Sequence, residues 1–193
     1  EYYLQVNSSV SPSVLGHVAY HYINSSFTLL NAVNFSFEQN LNVHVGSFYV
    51  QKQFKLNEIG LRSTYINWDG STQIQHDVSY TYFPLANKNF YGGVKGYVHT
   101  SNSYNTTYLS VLPFISYSPT PKWNVFTSYL YNNGNNIAEW NGALVNNSPD
   151  LTTGRLSCTL DYFLKPKWTL SLTYQYENKQ SDFTSNYAFN LLQ

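Results

Sequence analysis

The sequence predicts an all-β protein made of antiparallel strands, and three observations support this class. First, apolar and polar residues alternate over segments of about eight to eleven residues, whereas no apolar series at helical spacing continues beyond about one turn. Second, Asn, Ser, Gly and Pro cluster between these segments, as they do in turns. Third, aromatic residues make up 18% of the chain and charged residues only 10%, which excludes a disordered chain and is unusual for a water-exposed surface. We therefore expect an up-and-down arrangement in which each strand pairs with the next.

The first half of the chain contains seven alternating segments. In the fourth of them, His44 is predicted on the polar side, opposite Val43 and Val45. Between residues 38 and 82, the predicted strand directions do not agree with the predicted positions of the turns. The predicted number of strands must therefore be too high or too low by one in this region. The predicted apolar sides are Tyr2, Leu4 and Val6; Val18, Tyr20 and Tyr22; Phe27 to Phe37; Leu41, Val43, Val45 and Tyr49; Ile59, Leu61 and Tyr65; Ile74, Val78, Tyr80 and Tyr82; and Phe90, Val94 and Val98.

The second half adds five strands, two of which begin with the same sequence motif. Pro121-Lys122-Trp123 recurs as Pro166-Lys167-Trp168, and each copy is followed by a Tyr-x-Tyr pair on the face of the tryptophan. The segment before the first copy contains Pro113, which cannot donate to a β-ladder, so irregular pairing is expected there. The remaining strands are predicted over 155–162 and 187–191. The total is about twelve strands.

The repeated motif, with the Tyr-x-Tyr pair that follows it, places aromatic residues at both ends of one strand face. From Trp123 to Tyr131 a strand extends about 26 Å, and a tilt of about 40° reduces its rise to about 20 Å. This is close to the apolar band of an outer-membrane barrel, which is about 25 Å tall and edged by aromatic girdles. We expect residues 1–193 to form one transmembrane β-barrel domain. The same pattern is compatible with this domain being a fragment of a longer chain. The predicted membrane-interface girdle is Trp123, Tyr129, Tyr131, Trp168, Tyr174 and Tyr176.

The alternation, the Tyr-x-Tyr strand ends and the Lys-Trp hairpins resemble a bacterial outer-membrane β-barrel, and the hairpins are similar to those of YaiO-type barrels. The resemblance implies a Gram-negative outer-membrane location with membrane lipid as a partner. It also implies that the short turns face the periplasm and that the long loop 132–150 faces outward. Trp140 in this loop could anchor a glycan or a partner protein, or the loop could enter the barrel mouth as a plug.

The polar strand face is predicted to line the barrel lumen, because a charge that faces lipid at mid-membrane costs about 2–4 kcal/mol. Its charges are of both signs, which favours ion pairs that brace a narrow lumen over a charge-selective lining. His17 and His21 would stand about 13 Å apart on a strand, so they cannot bind one metal ion together. We predict no metal and no cofactor. The predicted lumen-lining residues are Glu58, Arg62, Asp77, Lys95, Arg155, Asp161 and Glu177.

Charge and composition exclude several classes of protein. The net charge is zero and arginine occurs only at Arg62 and Arg155, so the basic surface that nucleic acid requires is missing. No run of residues approaches the roughly 18 apolar residues of a membrane helix. The single cysteine, Cys158, excludes an internal disulfide.

The sequence is compatible with three functions. The first is a non-catalytic, porin-like outer-membrane barrel that acts as a channel, an export port or a membrane scaffold. The second is an outer-membrane lipid esterase, because His99-Thr100-Ser101-Asn102 is similar to the catalytic segment of lipid A deacylases, with Glu139 as a candidate third member. The third is a secreted β-sandwich that binds carbohydrate or protein. The first is favoured, because a sandwich core gives no reason to place Trp and Tyr at both ends of a strand face.

Overall fold

The computed structural model describes residues 1–30, 36–68, 71–102, 106–131, 137–139, 144–145, 151–165, 168–180 and 186–192. Within these ranges the chain consists of β-strands and the turns between them, which confirms the all-β prediction. This part of the chain contains no helix with the length and apolar character needed to cross a membrane.

Thirteen strands are present in the described part of the chain. They are β1 (Tyr2–Ser11), β2 (Val14–Leu30), β3 (Ser36–Phe54), β4 (Asn57–Trp68), β5 (Ser71–Tyr82), β6 (Phe90–Ser101), β7 (Thr106–Thr120), β8 (Trp123–Tyr131), β9 (Ala138–Glu139), β10 (Leu144–Val145), β11 (Leu151–Lys165), β12 (Trp168–Gln180) and β13 (Asn186–Leu192). Eleven of them form one antiparallel sheet in the order β1 to β8, β11, β12, β13, and β9 pairs with β10. The up-and-down order is therefore as predicted.

The large sheet has eleven strands, one fewer than the predicted twelve, because the segment predicted as a separate strand over residues 27–37 contributes its described residues to two longer strands. The segment is divided between the end of β2 and the start of β3, and residues 31–35 lie outside the described ranges. The polar stretch Asn24-Ser25-Ser26 has the composition of a turn, yet it stays in the ladder opposite residues 40–42. Removing this strand resolves the disagreement in strand direction before Tyr82.

With eleven strands, the connections fall on two rims of the sheet. We call the rim of connections 12–13, 55–56, 83–89, 121–122 and 166–167 the lower rim, and the opposite one, which includes 132–150, the upper rim. At the upper rim β4 ends at Trp68, opposite Val43, whereas β2 and β3 continue to the pair Leu30 and Ser36. The β2–β3 hairpin thus extends about 23 Å beyond β4, at about 3.3 Å per residue.

Neighbouring strands are staggered in one direction across the whole sheet. A line of directly opposed residues starts at Ser8 near the lower rim, passes through Leu61 in β4 and reaches Tyr131 at the upper end of β8. It continues to Asn178 in β12. A cumulative stagger of this kind accompanies strands that tilt relative to the rims, as the strands of a barrel do.

The two faces of the sheet differ in polarity, and the exposed face is the apolar one. In β5, Ile74, Val78 and Tyr80 are 43%, 55% and 43% exposed, whereas Gln75 and Asp77 are 0% and 6% exposed. The same alternation continues in β4, where Ile59, Leu61 and Tyr65 are exposed. We call these the apolar face and the polar face. This arrangement is the inverse of that in a water-soluble sheet, where polar residues are mostly exposed.

The face assignment predicted for β3 is wrong. Val43 and Val45 lie buried on the polar face, and His44 is exposed on the apolar face with Phe48. The physical reason is an apolar patch on the polar face, in which Val43 and Val45 pack against Ile66 and Ala138. Local alternation could not show this patch, because Ala138 is distant in sequence.

The sheet has two edge strands in the described part of the chain. There β1 pairs only with β2, and β13 pairs only with β12. Because eleven antiparallel strands alternate in direction, β1 and β13 run the same way.

Candidate functional site on the polar face

Residues 137–139, which we call the inner segment, lie against the polar face among its side chains. Ile137 and Ala138 are 1% and 0% exposed. Their apolar neighbours come from five strands: Val43 and Val45 of β3, Ile66 of β4, Tyr97 of β6, Leu112 of β7 and Leu130 of β8. The buried apolar core of the described protein is therefore centred on this segment.

A side-chain amide holds the middle of the inner segment. Gln75 Nε2 donates a hydrogen bond to the Ala138 carbonyl oxygen at 2.9 Å, and Ala138 N donates to Gln75 Oε1 at 2.8 Å. Gln75 is fully buried, so each bond replaces one that water would otherwise make. Its amide thus takes the place of a peptide group in a neighbouring strand.

The contacts of the inner segment require the sheet to curve. They involve residues of β3 to β8 and, through Arg155, of β11, which are seven adjacent strands. Seven strands in a flat sheet would span about 29 Å, since neighbours lie about 4.8 Å apart. Three extended residues reach only about 10 Å. The sheet therefore curls around the inner segment with its polar face inward.

The last residue of the inner segment is bound by charge. Arg155 Nη2 on β11 donates to Glu139 Oε1, and both side chains are largely buried. Next to Arg155, Glu177 on β12 accepts from Lys179 Nζ at 3.3 Å and from Gln175 Nε2 at 2.5 Å. Glu139 thus joins a buried set of charges that belongs to the sheet.

A second group of charges lies on β4 and β5. Arg62 Nη1 is 3.4 Å from Asp77 Oδ2, and the Arg62 guanidinium lies over the ring of Tyr49 with its carbon 5.2 Å from the ring centroid. Asp77 also accepts from Gln75 Nε2 at 2.7 Å. Gln75 therefore connects this ion pair to the inner segment.

The other predicted lumen-lining residues also lie on the polar face. Glu58 accepts from Gln51 Nε2 at 3.2 Å, and Lys95 Nζ lies 5.7 Å from the ring centroid of Phe114. Asp161 accepts from Ser171 Oγ at 2.7 Å and from Asn124 Nδ2 at 3.2 Å. The structure thus places all seven predicted residues on the polar face, and their partners are mostly of opposite charge or neutral.

The structure does not assemble the candidate esterase residues into a triad. His99 and Ser101 are 3% and 2% exposed, both on the polar face. Ser101 Oγ has no hydrogen-bond partner among the described residues, so His99 does not activate it. Glu139, the candidate third member, is bound to Arg155. A lipid ester at the apolar face would therefore have no access to Ser101.

His17 and His21, the two histidines considered as metal ligands, have different partners. The His17 ring packs on Tyr49 at 4.8 Å between centroids, and His21 Nε2 is 3.8 Å from Glu1 Oε2. His44 lies on the other face, where its Nδ1 is hydrogen-bonded to the Tyr20 hydroxyl at 2.7 Å. Within the described ranges, no three His, Cys, Asp or Glu side chains are grouped as a metal site.

Aromatic side chains edge the apolar face at both rims. All six predicted girdle residues lie on this face, and Trp123 contacts Tyr162 of the neighbouring strand at 4.4 Å between centroids. The first half of the chain contributes to the same two belts. The lower belt is Tyr80, Tyr82, Phe90, Tyr117, Trp123, Tyr162 and Trp168, and the upper belt is Tyr2, Tyr20, Tyr22, Tyr65, Tyr129, Tyr131, Tyr174 and Tyr176. Aliphatic residues such as Leu61, Val78 and Leu172 lie between them.

Sequence reasoning did not identify Gln75 or the inner segment as parts of the site. Gln75 is one of two glutamines at alternate positions of β5, and Ile137-Ala138 is a short apolar pair in an Asn-rich loop. Neither has a local signal, because their relationship exists only after folding. Trp140, the residue of this loop predicted to bind a partner, lies outside the described residues.

No protein-family model matches this sequence, and no curated protein sequence matches it either.

Proposed function

We propose that the chain is a non-catalytic β-barrel of a bacterial outer membrane, with a polar interior that forms a narrow conduit closed by the inner segment. The observation that carries this proposal is the inversion of the two faces. Side chains such as Leu61, Val78 and Leu170 are 51%, 55% and 63% exposed, while Asp77, Arg155 and Glu177 are nearly completely buried.

The size of the exposed apolar face supports a lipid environment. Soluble monomers rarely expose a continuous apolar patch larger than a few hundred Å². Here exposed large apolar side chains occur on every strand from β1 to β8 and on β11 and β12. In a bilayer this face needs no cover, and the two aromatic belts would meet the headgroup layers.

The soluble β-sandwich is less compatible with these faces. In a sandwich the apolar faces of two sheets pack together, and the polar faces meet water. In the described part of the chain there is one large sheet, and its apolar face has no second layer over it. The inner segment instead covers the polar face.

We propose that the closed barrel has about twelve strands. Since β1 and β13 run in the same direction, one further strand between them, antiparallel to both, would complete an even-numbered antiparallel barrel. The cumulative stagger of the sheet favours closure, because closing a barrel requires tilted and staggered strands.

A conduit is favoured over a lipid esterase and over a solid scaffold. The polar face carries ionisable groups of both signs along its height, including Glu58, Lys95 and Glu177, whereas a scaffold needs only a packed interior. The inner segment belongs to the long connection at the upper rim, so it occupies the interior from that side. The loop predicted to bind outside partners therefore supplies the part that closes the conduit.

Reconstitution tests this proposal. The purified protein should require detergent, insert into liposomes and resist extraction by urea. In planar bilayers it should show rare openings of small conductance. Full solubility without detergent would contradict the membrane location. A bilayer that stays sealed, both with this protein and with variants that release the inner segment, would contradict the conduit and leave a scaffold.

A further inference from the structure

A hollow of about 590 Å³ opens on the apolar face, at the base of the projecting β2–β3 hairpin. It is lined by Tyr2, Tyr20, Tyr22, Asn42 and His44. Tyr22 and His44 are directly opposed in β2 and β3, close to the level where β4 ends, so the hollow belongs to the upper belt. It brings the polar groups of Asn42 and His44 between tyrosine rings on a face that is otherwise mostly apolar.

The hollow offers fixed hydrogen-bond donors. The Oδ1 atom of Asn42 accepts from the Tyr22 hydroxyl at 2.9 Å and from Asn24 Nδ2 at 2.8 Å. With its Oδ1 atom occupied by these two bonds, Asn42 directs its Nδ2 amide as a donor, and no described residue accepts from it. When the Tyr20 hydroxyl donates to His44 Nδ1, neutral His44 has its proton on Nε2, which makes a second donor.

The walls of the hollow are aromatic. The rings of Tyr2 and Tyr22 are stacked with centroids 6.3 Å apart, and the Tyr22 ring lies 5.0 Å from that of His44. No charged side chain is among the lining residues. A phosphate would be expected to require Arg or Lys, whereas a neutral ring with one apolar side and several oxygen acceptors fits aromatic walls with N–H donors.

We infer that this hollow binds the neutral sugar headgroup of a membrane glycolipid, an inference that rests on the proposed membrane location. At the level of the upper belt, the groups next to the apolar face are lipid headgroups. Acyl chains could not bond the free N–H groups of Asn42, and leaving such groups unpaired away from water is unfavourable. The sugar ring packs on the tyrosines while its hydroxyls accept from Asn42 and His44.

The test compares lipid composition around the protein. Nanodiscs are assembled from phosphatidylcholine with a minor fraction of monoglucosyl diacylglycerol, and lipids retained by the protein during mild detergent extraction are measured by mass spectrometry. The glycolipid should be enriched around the unaltered protein. His44→Phe and Asn42→Leu should each reduce the enrichment about tenfold, the size of effect that one lost hydrogen bond can give.

His76→Phe is the matched control, because His76 is also exposed on the apolar face but lies two strands away on β5. It should leave the enrichment unchanged. Enrichment that is absent, equal in all variants or directed to a phosphatidylglycerol added to the same discs would overturn the sugar site alone. A protein that fails to enter the nanodiscs would overturn the membrane location, and this site with it.

Discussion

Arg155 of β11 and Glu139 of the inner segment form an ion pair in which the two side chains are only 8% and 15% exposed. The pair connects a loop residue to the wall of the sheet. Glu139→Gln keeps the shape of this side chain and removes its charge, so the inner segment should leave the polar face more often. We expect the open probability in planar bilayers to rise about tenfold, as loss of one charge-assisted bond allows. Glu58→Gln changes a charge on the same face away from the inner segment, and an equal rise there would contradict this role.

Gln75 should contribute to the same closure through its two bonds with Ala138. Gln75→Leu removes both bonds and leaves the buried peptide groups of Ala138 without partners. Channel opening should therefore increase at least as much as for Glu139→Gln. Gln73→Leu is the control, because Gln73 is buried on the same face of β5 and lies two residues before Gln75. Conductance traces that do not distinguish the two variants would show that Gln75 does not hold the segment.

Replacing one member of the buried pair of Arg62 and Asp77 should destabilise the protein more than replacing both. Arg62→Met leaves the Asp77 carboxylate buried without its cation, and we expect a loss of about 3–5 kcal/mol in the free energy of unfolding. Arg62→Met combined with Asp77→Leu should recover most of this loss, because no unpaired charge remains. Urea unfolding from liposomes measures both. A double variant that is less stable than the single one would argue that Asp77 is stabilised chiefly by Gln75.

Gly93 is predicted to be required for close packing. A Cβ atom there would meet the Tyr80 carbonyl oxygen and would lie 2.7 Å from Phe114 Cζ. Because the first contact is with backbone, Gly93→Ala should lower the unfolding free energy by about 1–3 kcal/mol. Gly96→Ala in the same strand meets no atom within 4 Å and should have little effect. Equal free energies of unfolding for the two variants, measured by urea unfolding, would contradict the packing described for β5 to β7.

The apolar face should not tolerate charge midway between the two belts. Val78, near the middle of β5, is 55% exposed, so Val78→Lys would have almost no effect on a protein surrounded by water. In a membrane it should cost about 2–4 kcal/mol and reduce folding into liposomes. Thr120→Lys, at the lower rim, should cost at most about 1 kcal/mol. Unimpaired insertion of the Val78 variant would contradict the assignment of the apolar face to lipid.

Strand faces were predictable from sequence wherever alternation is strict. In β5, Ile74, Val78 and Tyr80 alternate with polar residues, so period two fixes both faces, and the structure agrees. The prediction is wrong in β3 because Val43 and Val45 are apolar for a different reason: they contact Ala138. The alternation shows that a position is apolar, but it does not show which residue the side chain at that position packs against.

The candidate site was predictable only as a set of charged positions. The seven residues predicted to line a lumen could be selected because each lies opposite an apolar position in its own strand. Their pairing could not be predicted, since Arg155 meets Glu139 from a loop with no alternation. The bonds between Gln75 and Ala138 depend on the curvature of the whole sheet, which no segment encodes alone.

The length of the β2–β3 hairpin has a practical consequence for work on cells. Its backbone ladder continues about 23 Å past the end of β4, so its far end would stand well outside a membrane that covers the two belts. A short epitope inserted between residues 30 and 36 would then be recognised on intact cells if the upper rim is external, and only after lysis if it is not. An epitope at the end of this hairpin would therefore show which side of the membrane the upper rim faces.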